Sequence, residues 1–287
     1  MIPALRMQAP LPNSILAFSV MNSATSPRVR TTALITGAST GIGLELAREF
    51  AARGHDLVLV ARHRDALEAI AGALEGKFGI SATVIPADLS DPEAPQTLFD
   101  TLQSQAVHVD YLVNNAGFGL GGEFVDTDMD RELDMVQVNI SALMSLTKLF
   151  LPHMIRQKSG RIMQVASIAA FQPGPLMAVY YASKAFVLSF SQALAEELRD
   201  TGVTVTALCP GPTATNFAET AGISNSRVFA NAGVARADDV ARYGYAAMMR
   251  GERIAIPSVR DRIMVQTQRL TPRAMVTRIV RKLQESR

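Results

Sequence analysis

A phenol and an ammonium stand four residues apart in Tyr180-Tyr181-Ala182-Ser183-Lys184. On a helix that spacing puts both on one face, where the cation can tune the acidity of the phenol. A free tyrosine, at about 10, is some three units too weak an acid for neutral pH, a gap of roughly 4 kcal/mol. A cation ~5 Å away at an effective dielectric near 20 contributes on the order of 3 kcal/mol, so the pair suits proton transfer. Tyr181, three residues from Lys184, is not geometrically impossible as the acid, but the four-residue spacing favours Tyr180. Each residue also has a plain reading: Tyr180 as core, Lys184 as surface, Ser167 as a cap and Asn139 as a buried helix kink.

A second chemical feature is Thr36-Gly37-Ala38-Ser39-Thr40-Gly41-Ile42-Gly43, which follows an apolar run and opens a helical pattern. In that context Gly37 supplies a tight turn, Gly41 lets the backbone approach a pyrophosphate, and Gly43 lets helix and strand pack closely. The next strand ends Val60-Ala61-Arg62-His63-Arg64. A carboxylate there would accept from a ribose 2′-hydroxyl, whereas a cation meets a 2′-phosphate. Ala61 removes the acid and Arg62 supplies the cation, which favours NADP(H) with NAD(H) still possible. The rival reading is that Arg62 and Arg64 solvate the start of the next helix.

Tyr180 and Lys184, Ser167 thirteen residues upstream of Tyr180, Asn139 and the glycine pattern together resemble the classical short-chain dehydrogenase/reductase family, from about Thr31 to about Thr215. The resemblance implies a carbonyl–alcohol oxidoreductase acting on a small or moderately large apolar substrate. Tyr180 is then the acid/base, and Lys184 lowers its pKa and binds the nicotinamide ribose. Ser167 bonds the substrate oxygen and Asn139 holds a proton-relaying water. The implied cofactor cradle is Gly37, Ser39, Thr40, Gly41, Ile42 and Gly43, with Ser39 on the 2′-phosphate. Thr40 departs from the basic residue many NADP-preferring members carry. Asp88-Leu89 resembles the adenine-contacting position, and Asn114-Asn115-Ala116-Gly117 the motif that steadies the sheet and lines the adenosine side. Pro210, Gly211, Thr213 and Thr215 resemble the nicotinamide-holding segment. Asn, Asp and Gly are also ordinary turn formers, so simple turn chemistry stays open at these positions. Substrate choice is expected in Ala169–Val179 and Thr213–Arg236, the latter a mobile loop or short helices.

The elements that must position these residues are legible as alternation. Apolar runs at Thr32–Thr36, Leu57–Ala61, Thr83–Ala87, Tyr111–Asn114, Arg161–Ala166 and Val203–Cys209 read as strands. Helical patterns at 42–53, 65–76, 92–106, 128–157 and 181–199 fill the gaps. Strand and helix taking turns predict a Rossmann-type, doubly wound parallel sheet in a single domain over 31–260.

The 287 residues, 48% apolar, suffice for one core, and no continuous apolar run approaches the ~18 residues of a bilayer span. The lone Cys209 excludes an internal disulfide framework, and four scattered histidines predict no metal. Residues 1–30, with four prolines, read as a poorly ordered extension. The rival there is a signal peptide with a thin basic region and a short apolar centre. From Arg250 to Arg287, ten Lys/Arg face three acids, giving +7 where the whole chain carries +2. Residues 261–287 are therefore expected to be a basic helical tail with a solvated face. Contact with an anionic membrane is the lesser reading, and no nucleic-acid partner is expected.

The expectation is a cytoplasmic homodimer or homotetramer, with Leu143, Leu146, Phe186 and Phe190 as contact candidates. A non-catalytic dinucleotide-binding redox sensor and a membrane-surface protein are the alternatives.

Overall fold

The computed structural model describes residues 30–227, 233–268 and 270–285. The expected N-terminal extension therefore lies almost wholly outside the described residues, as does part of the 213–236 loop.

Seven parallel strands form the central sheet: β1 (Thr32–Thr36), β2 (Asp56–Ala61), β3 (Ala82–Pro86), β4 (Tyr111–Asn114), β5 (Gly160–Val165), β6 (Val203–Leu208) and a short β9 (Ile254–Ala255). Their order is β3-β2-β1-β4-β5-β6-β9, so the chain winds outward from β1 in one direction and then from β4 in the other. Side chains alternate across the sheet. Ala33, Ile35, Leu57 and Leu59 enter one apolar layer, while Leu34, Val58 and Val60 enter the opposite one. Both layers are covered by helix, which is why the strands read as continuous apolar runs.

On the first face lie α1 (Gly41–Ala51), with Leu46 and Phe50 inward, and α8 (Ala237–Met249), with Val240 and Met248 inward. On the second lie α3 (Ala94–Ser104) and α5 (Leu143–Gln157). Leu98, Leu102, Leu146, Phe150 and Met154 make that layer, and Leu143 packs in a neighbouring buried cluster. Leu143 and Leu146, expected as candidates for subunit contact, are thus core residues at 4% and 0% exposure. The predicted 128–157 helix is α4 (Met129–Val136), a π-helical segment Gln137–Ala142 and α5 in series. Met129–Gln157 is long and apolar enough to cross a membrane, against the expectation from continuous runs, yet it furnishes much of the core.

Further elements are α2 (Arg64–Phe78), α6 (Ala178–Glu197), a two-stranded sheet of β7 (Thr213–Ala214) with β8 (Ala235–Arg236), and α7 (Phe217–Thr220). The helix α6 begins three residues before its sequence-predicted start, which brings Tyr180 inside its first turn. Finally α9 (Val259–Gln268) and α10 (Arg273–Gln284) follow β9. The basic residues of α10 do form an exposed face, but Val276 and Val280 on the other face pack with Met177, Tyr180 and Tyr181. The tail is an amphipathic cover over the carboxyl ends of the strands rather than an appendage.

Candidate active site

A cavity of about 630 Å³ runs along the carboxyl ends of the strands, from Arg62 and Asp88 past Gly37 and Gly41 to Ser167, Tyr180 and Lys184. Open α/β sheets bind ligands at this edge, where the strand order reverses between β1 and β4.

The glycine turn is built as its spacing requires. Gly37 and Gly41 have φ of 66° and 55°, the left-handed region that favours glycine. A Cβ on Gly43 would overlap the Gly37 carbonyl and the Asn115 amide, and one on Gly41 would sit 2.9 Å from Thr215 Cγ2. The phosphate turn therefore meets the 210–215 segment directly. Thr40 stands at the N-cap of α1 without a side-chain capping bond, so the orphan N–H groups of that first turn are not closed off by it. Those donors and the glycine cradle fit a dinucleotide phosphate.

Asn115 holds the turn from behind, since its Nδ2 donates to the carbonyls of Thr36 at 2.9 Å and Gly37 at 3.2 Å. Asn114 is tied into the core through Thr147 at 3.1 Å and Gln164 at 3.0 Å. Asp88 accepts from Ser90 N and Oγ at 3.0 and 2.9 Å. Burial pushes its carboxyl up, but those bonds and the nearby Arg62 and Arg131 guanidiniums bring it below its ordinary value. Arg62 is exposed on the rim, whereas Arg64 pairs with Glu68 at 3.4 Å along α2, as the solvating reading has it.

At the other end, Ser167 follows β5 and caps the 3₁₀ turn Ile168–Phe171, accepting from Ala169 N at 3.1 Å and donating to Pro210 O at 3.4 Å. The cap reading is thus true of a residue that also lines the cavity. Lys184 is 5% exposed, not a surface residue, and its Nζ donates to Val165 O at 2.8 Å. That ammonium lies 5.9 Å from the centre of the Tyr180 ring. Asn139 sits in the π-helical segment, where its Nδ2 donates to Phe118 O and Ser183 Oγ, both at 3.0 Å, and its Oδ1 accepts from Phe118 N at 3.1 Å. With both donors engaged, one lone pair on Oδ1 is what its side chain has left for a water.

Electrostatics here depart from the sequence argument. Burial drives the Tyr180 phenol well above its ordinary value, the Ser167 hydroxyl draws it back, and Tyr181 adds to the rise. Lys184 does not offset this in the chain alone. Burial brings its own ammonium down to about 8, against the pull of Cys209, whose buried thiol is pushed up to about 12. The assumed dielectric near 20 omitted the desolvation of both groups, which opposes the Coulomb term.

Several wall residues went unnoticed in the sequence. Asp261 of α9 is one, its carboxylate lying so close against the expected site residue Gly211 that a side chain there would have no room. Arg131, on α4, lies 4.7 Å over the Phe118 ring and borders the cavity. Val280, Leu283 and Gln284 of α10 close the substrate end, together with Met177 and Phe217 from the two loops expected to govern specificity.

Residues 31–226 match the family described as short chain dehydrogenase, and the chain belongs to that family, whose members use NAD(P)(H). A short-chain dehydrogenase from Sphingobium yanoikuyae in complex with NADPH superposes with TM-score 0.75 at 34% identity, over 84% of this chain and 94% of that one. The bulky-bulky ketone specific alcohol dehydrogenase from Comamonas testosteroni gives TM-score 0.71 at 30% identity, over 84% and 92%. The very-long-chain 3-oxoacyl-CoA reductase of Anas platyrhynchos is 33% identical over 69% of this chain. The match spans 64% of that relative's length, and 52% of its counterpart in Laccaria bicolor.

Proposed function

We propose that this chain is an NADP(H)-dependent oxidoreductase that interconverts a carbonyl and an alcohol on an apolar substrate. The observation that carries the reading is the convergence of Ser167, Tyr180 and Lys184 at one end of a cavity whose other end holds the glycine turn and Arg62. When bound, the nicotinamide dinucleotide supplies the hydride in reduction and accepts it in oxidation. The cradle Gly37–Gly43, Arg62, Asp88, Ala116, Gly117 and the 210–215 segment hold it.

In reduction the Tyr180 hydroxyl gives its proton to the carbonyl oxygen as charge develops there, and solvent restores that proton afterwards. Ser167 Oγ donates to the same oxygen, which requires its hydroxyl to turn from Pro210 O. In the buried site such a donor is worth more than in water. Lys184, charged below about 8, stabilises the phenolate that Tyr180 leaves behind. Asn139 fixes the Phe118 backbone and Ser183, and so the face on which Lys184 stands. The NADPH-bound relative and the exposed Arg62 on the rim support the cofactor preference.

The test is NADPH oxidation scanned over ketones, aldehydes, quinones and 3-oxoacyl thioesters. Consumption of NADPH that depends on both a carbonyl and Tyr180 is the expected result. Tight NADPH binding with no turnover on any carbonyl would refute it.

A further inference from the structure

The helix α10 is seated on the protein by one face and leaves an apolar row bare beside it. Val276, Val280 and Gln284, four residues apart, are buried, and Arg281 pairs with Glu123 at 2.5 Å on one flank of that seat. Met275, Ile279 and Leu283 repeat the same four-residue step one position earlier, yet they are 55%, 44% and 40% exposed. At about 3.6 residues per turn this row stands roughly 160° round the helix from Arg281, so the ion pair does not draw it under cover. Val259 and Ile263 of α9 and Leu270 between the two helices are exposed as well. Single exposed apolar side chains are ordinary, whereas a row of them marks a contact surface.

Charge says what the row meets. Arg278 and Lys282 run beside it, Arg273 precedes it, and α10 holds no acid between Arg273 and Gln284. Among the described residues these three cations pair with no carboxylate, whereas the helical arginines Arg48, Arg53, Arg64 and Arg199 each pair with an acid three or four residues away. An apolar row rimmed by unpaired cations suits a helix lying in the surface of an anionic bilayer. Its 12 residues are too few to cross one, which takes ~20. A second copy of the chain fits worse, because two-fold pairing would set one acid-free cationic helix against another. Leu283 belongs both to the row and to the cavity wall, so a surface docked here lies against the substrate end of the cavity.

We propose that the row Met275, Ile279 and Leu283, rimmed by Arg278 and Lys282, docks the chain on an anionic lipid surface and turns the substrate end of the cavity toward it. That an apolar substrate then enters from the bilayer rests on the oxidoreductase reading. The docking itself does not.

The experiment is cosedimentation of the full chain with vesicles of phosphatidylcholine, alone or with roughly 30% phosphatidylserine. Binding to the anionic vesicles should be about tenfold tighter or more, and that advantage should shrink in ~0.5 M salt. Met275→Gln with Ile279→Gln, and Arg278→Gln with Lys282→Gln, should each weaken it about tenfold. None of these four side chains lines the cavity, so NADPH affinity should stay as it was. The chain has no tryptophan, so Ile279→Trp sets a single reporter in the row. Its emission should shift to the blue on anionic vesicles and be quenched by brominated acyl chains, which decides the matter should either glutamine pair fail to fold. Equal binding to both vesicles, binding unmoved by either pair, or a reporter that stays in water would overturn the proposal. So would an oligomer that Met275→Gln with Ile279→Gln dissociates while the unaltered chain ignores vesicles, which would make the row a subunit contact. No arm requires a ketone to be reduced, so failure of the docking is distinct from failure of the proposed reaction.

Discussion

The Lys184 ammonium donates to the Val165 carbonyl at 2.8 Å, tying the first turns of α6 to the end of β5 two residues before Ser167. That bond fixes the cation beneath the site while burial lowers its pKa to about 8. Both the stability of the fold and the chemistry of the site depend on this placement.

For stability the sign is set by proton counts. Between about 8 and its ordinary 10.5, Lys184 holds fewer protons folded than unfolded, so its contribution raises stability as pH rises through that window. Cys209, raised from 9.0 to about 12, acts oppositely above 9. Between pH 7.5 and 9 the cofactor-free chain should therefore gain urea resistance. Lys184→Met should lose that gain, as unfolding midpoints at the two pH values would show. A gain of equal size in Lys184→Met would contradict it.

For catalysis, Tyr180→Phe deletes the proton donor and keeps the ring. Turnover should fall ~10²–10⁴-fold with NADPH affinity little changed. Tyr181→Phe should retain far more activity, since its hydroxyl meets Gln284 rather than Ser167. Lys184→Ala should lower both turnover and NADPH binding. Steady-state kinetics with NADPH titration check all three, and a dead Tyr181→Phe beside an active Tyr180→Phe would reverse the assignment.

How far the sequence reached can be read from particular residues. β1 and β4 fall where their apolar runs end, because a strand buried on both faces leaves no polar position to blur its bounds. The glycine turn was legible because steric demand shows directly as residue type. The π-helical segment around Asn139 was not, since Gln137–Ala142 carries an ordinary helical pattern and the widened turn depends on tertiary contacts to Phe118 and Ser183. Nor was the seat of α10 legible. Its inward stripe is Val276, Val280 and Gln284, and a glutamine in the charged run Arg281-Lys282-Leu283-Gln284-Glu285 reads as solvent-facing.

Arg62 stands on the rim near Asp88 with no acid in the Ala61 position. Arg62→Ala should weaken NADPH by about tenfold, the order of one charge-assisted bond at an exposed site, and leave NADH nearly unchanged. Fluorescence titration with both cofactors reads the difference. Equal affinities in the unaltered chain would remove the NADP preference.

Phe186, 37% exposed, stacks on Phe190 at 5.8 Å along α6, an apolar pair that a second copy of the chain could cover. With Leu143 and Leu146 in the core, this pair carries the expectation of a homo-oligomer. Light scattering should return a dimer or tetramer at micromolar concentration, and Phe186→Glu should shift it toward monomer. A monomeric unaltered chain would refute it.

The contacts of α10 differ in strength, and that difference can be measured. Arg281 and Glu123 are each half exposed, so Arg281→Ala should cost no more than about 1 kcal/mol of stability despite the short ion pair. Val280 is 3% exposed in the cluster that includes Tyr180 and Tyr181, and Val280→Ala should cost about 1–3 kcal/mol through lost burial and a residual cavity. Deleting residues 273–287 removes both contacts and opens the substrate end while leaving the glycine turn and Arg62 untouched. NADPH affinity should therefore persist while KM for apolar ketones rises at least tenfold. Thermal unfolding ranks the two substitutions, and kinetics with cofactor titration tests the deletion. Loss of NADPH binding together with ketone reduction would instead mean that α10 supports the whole fold.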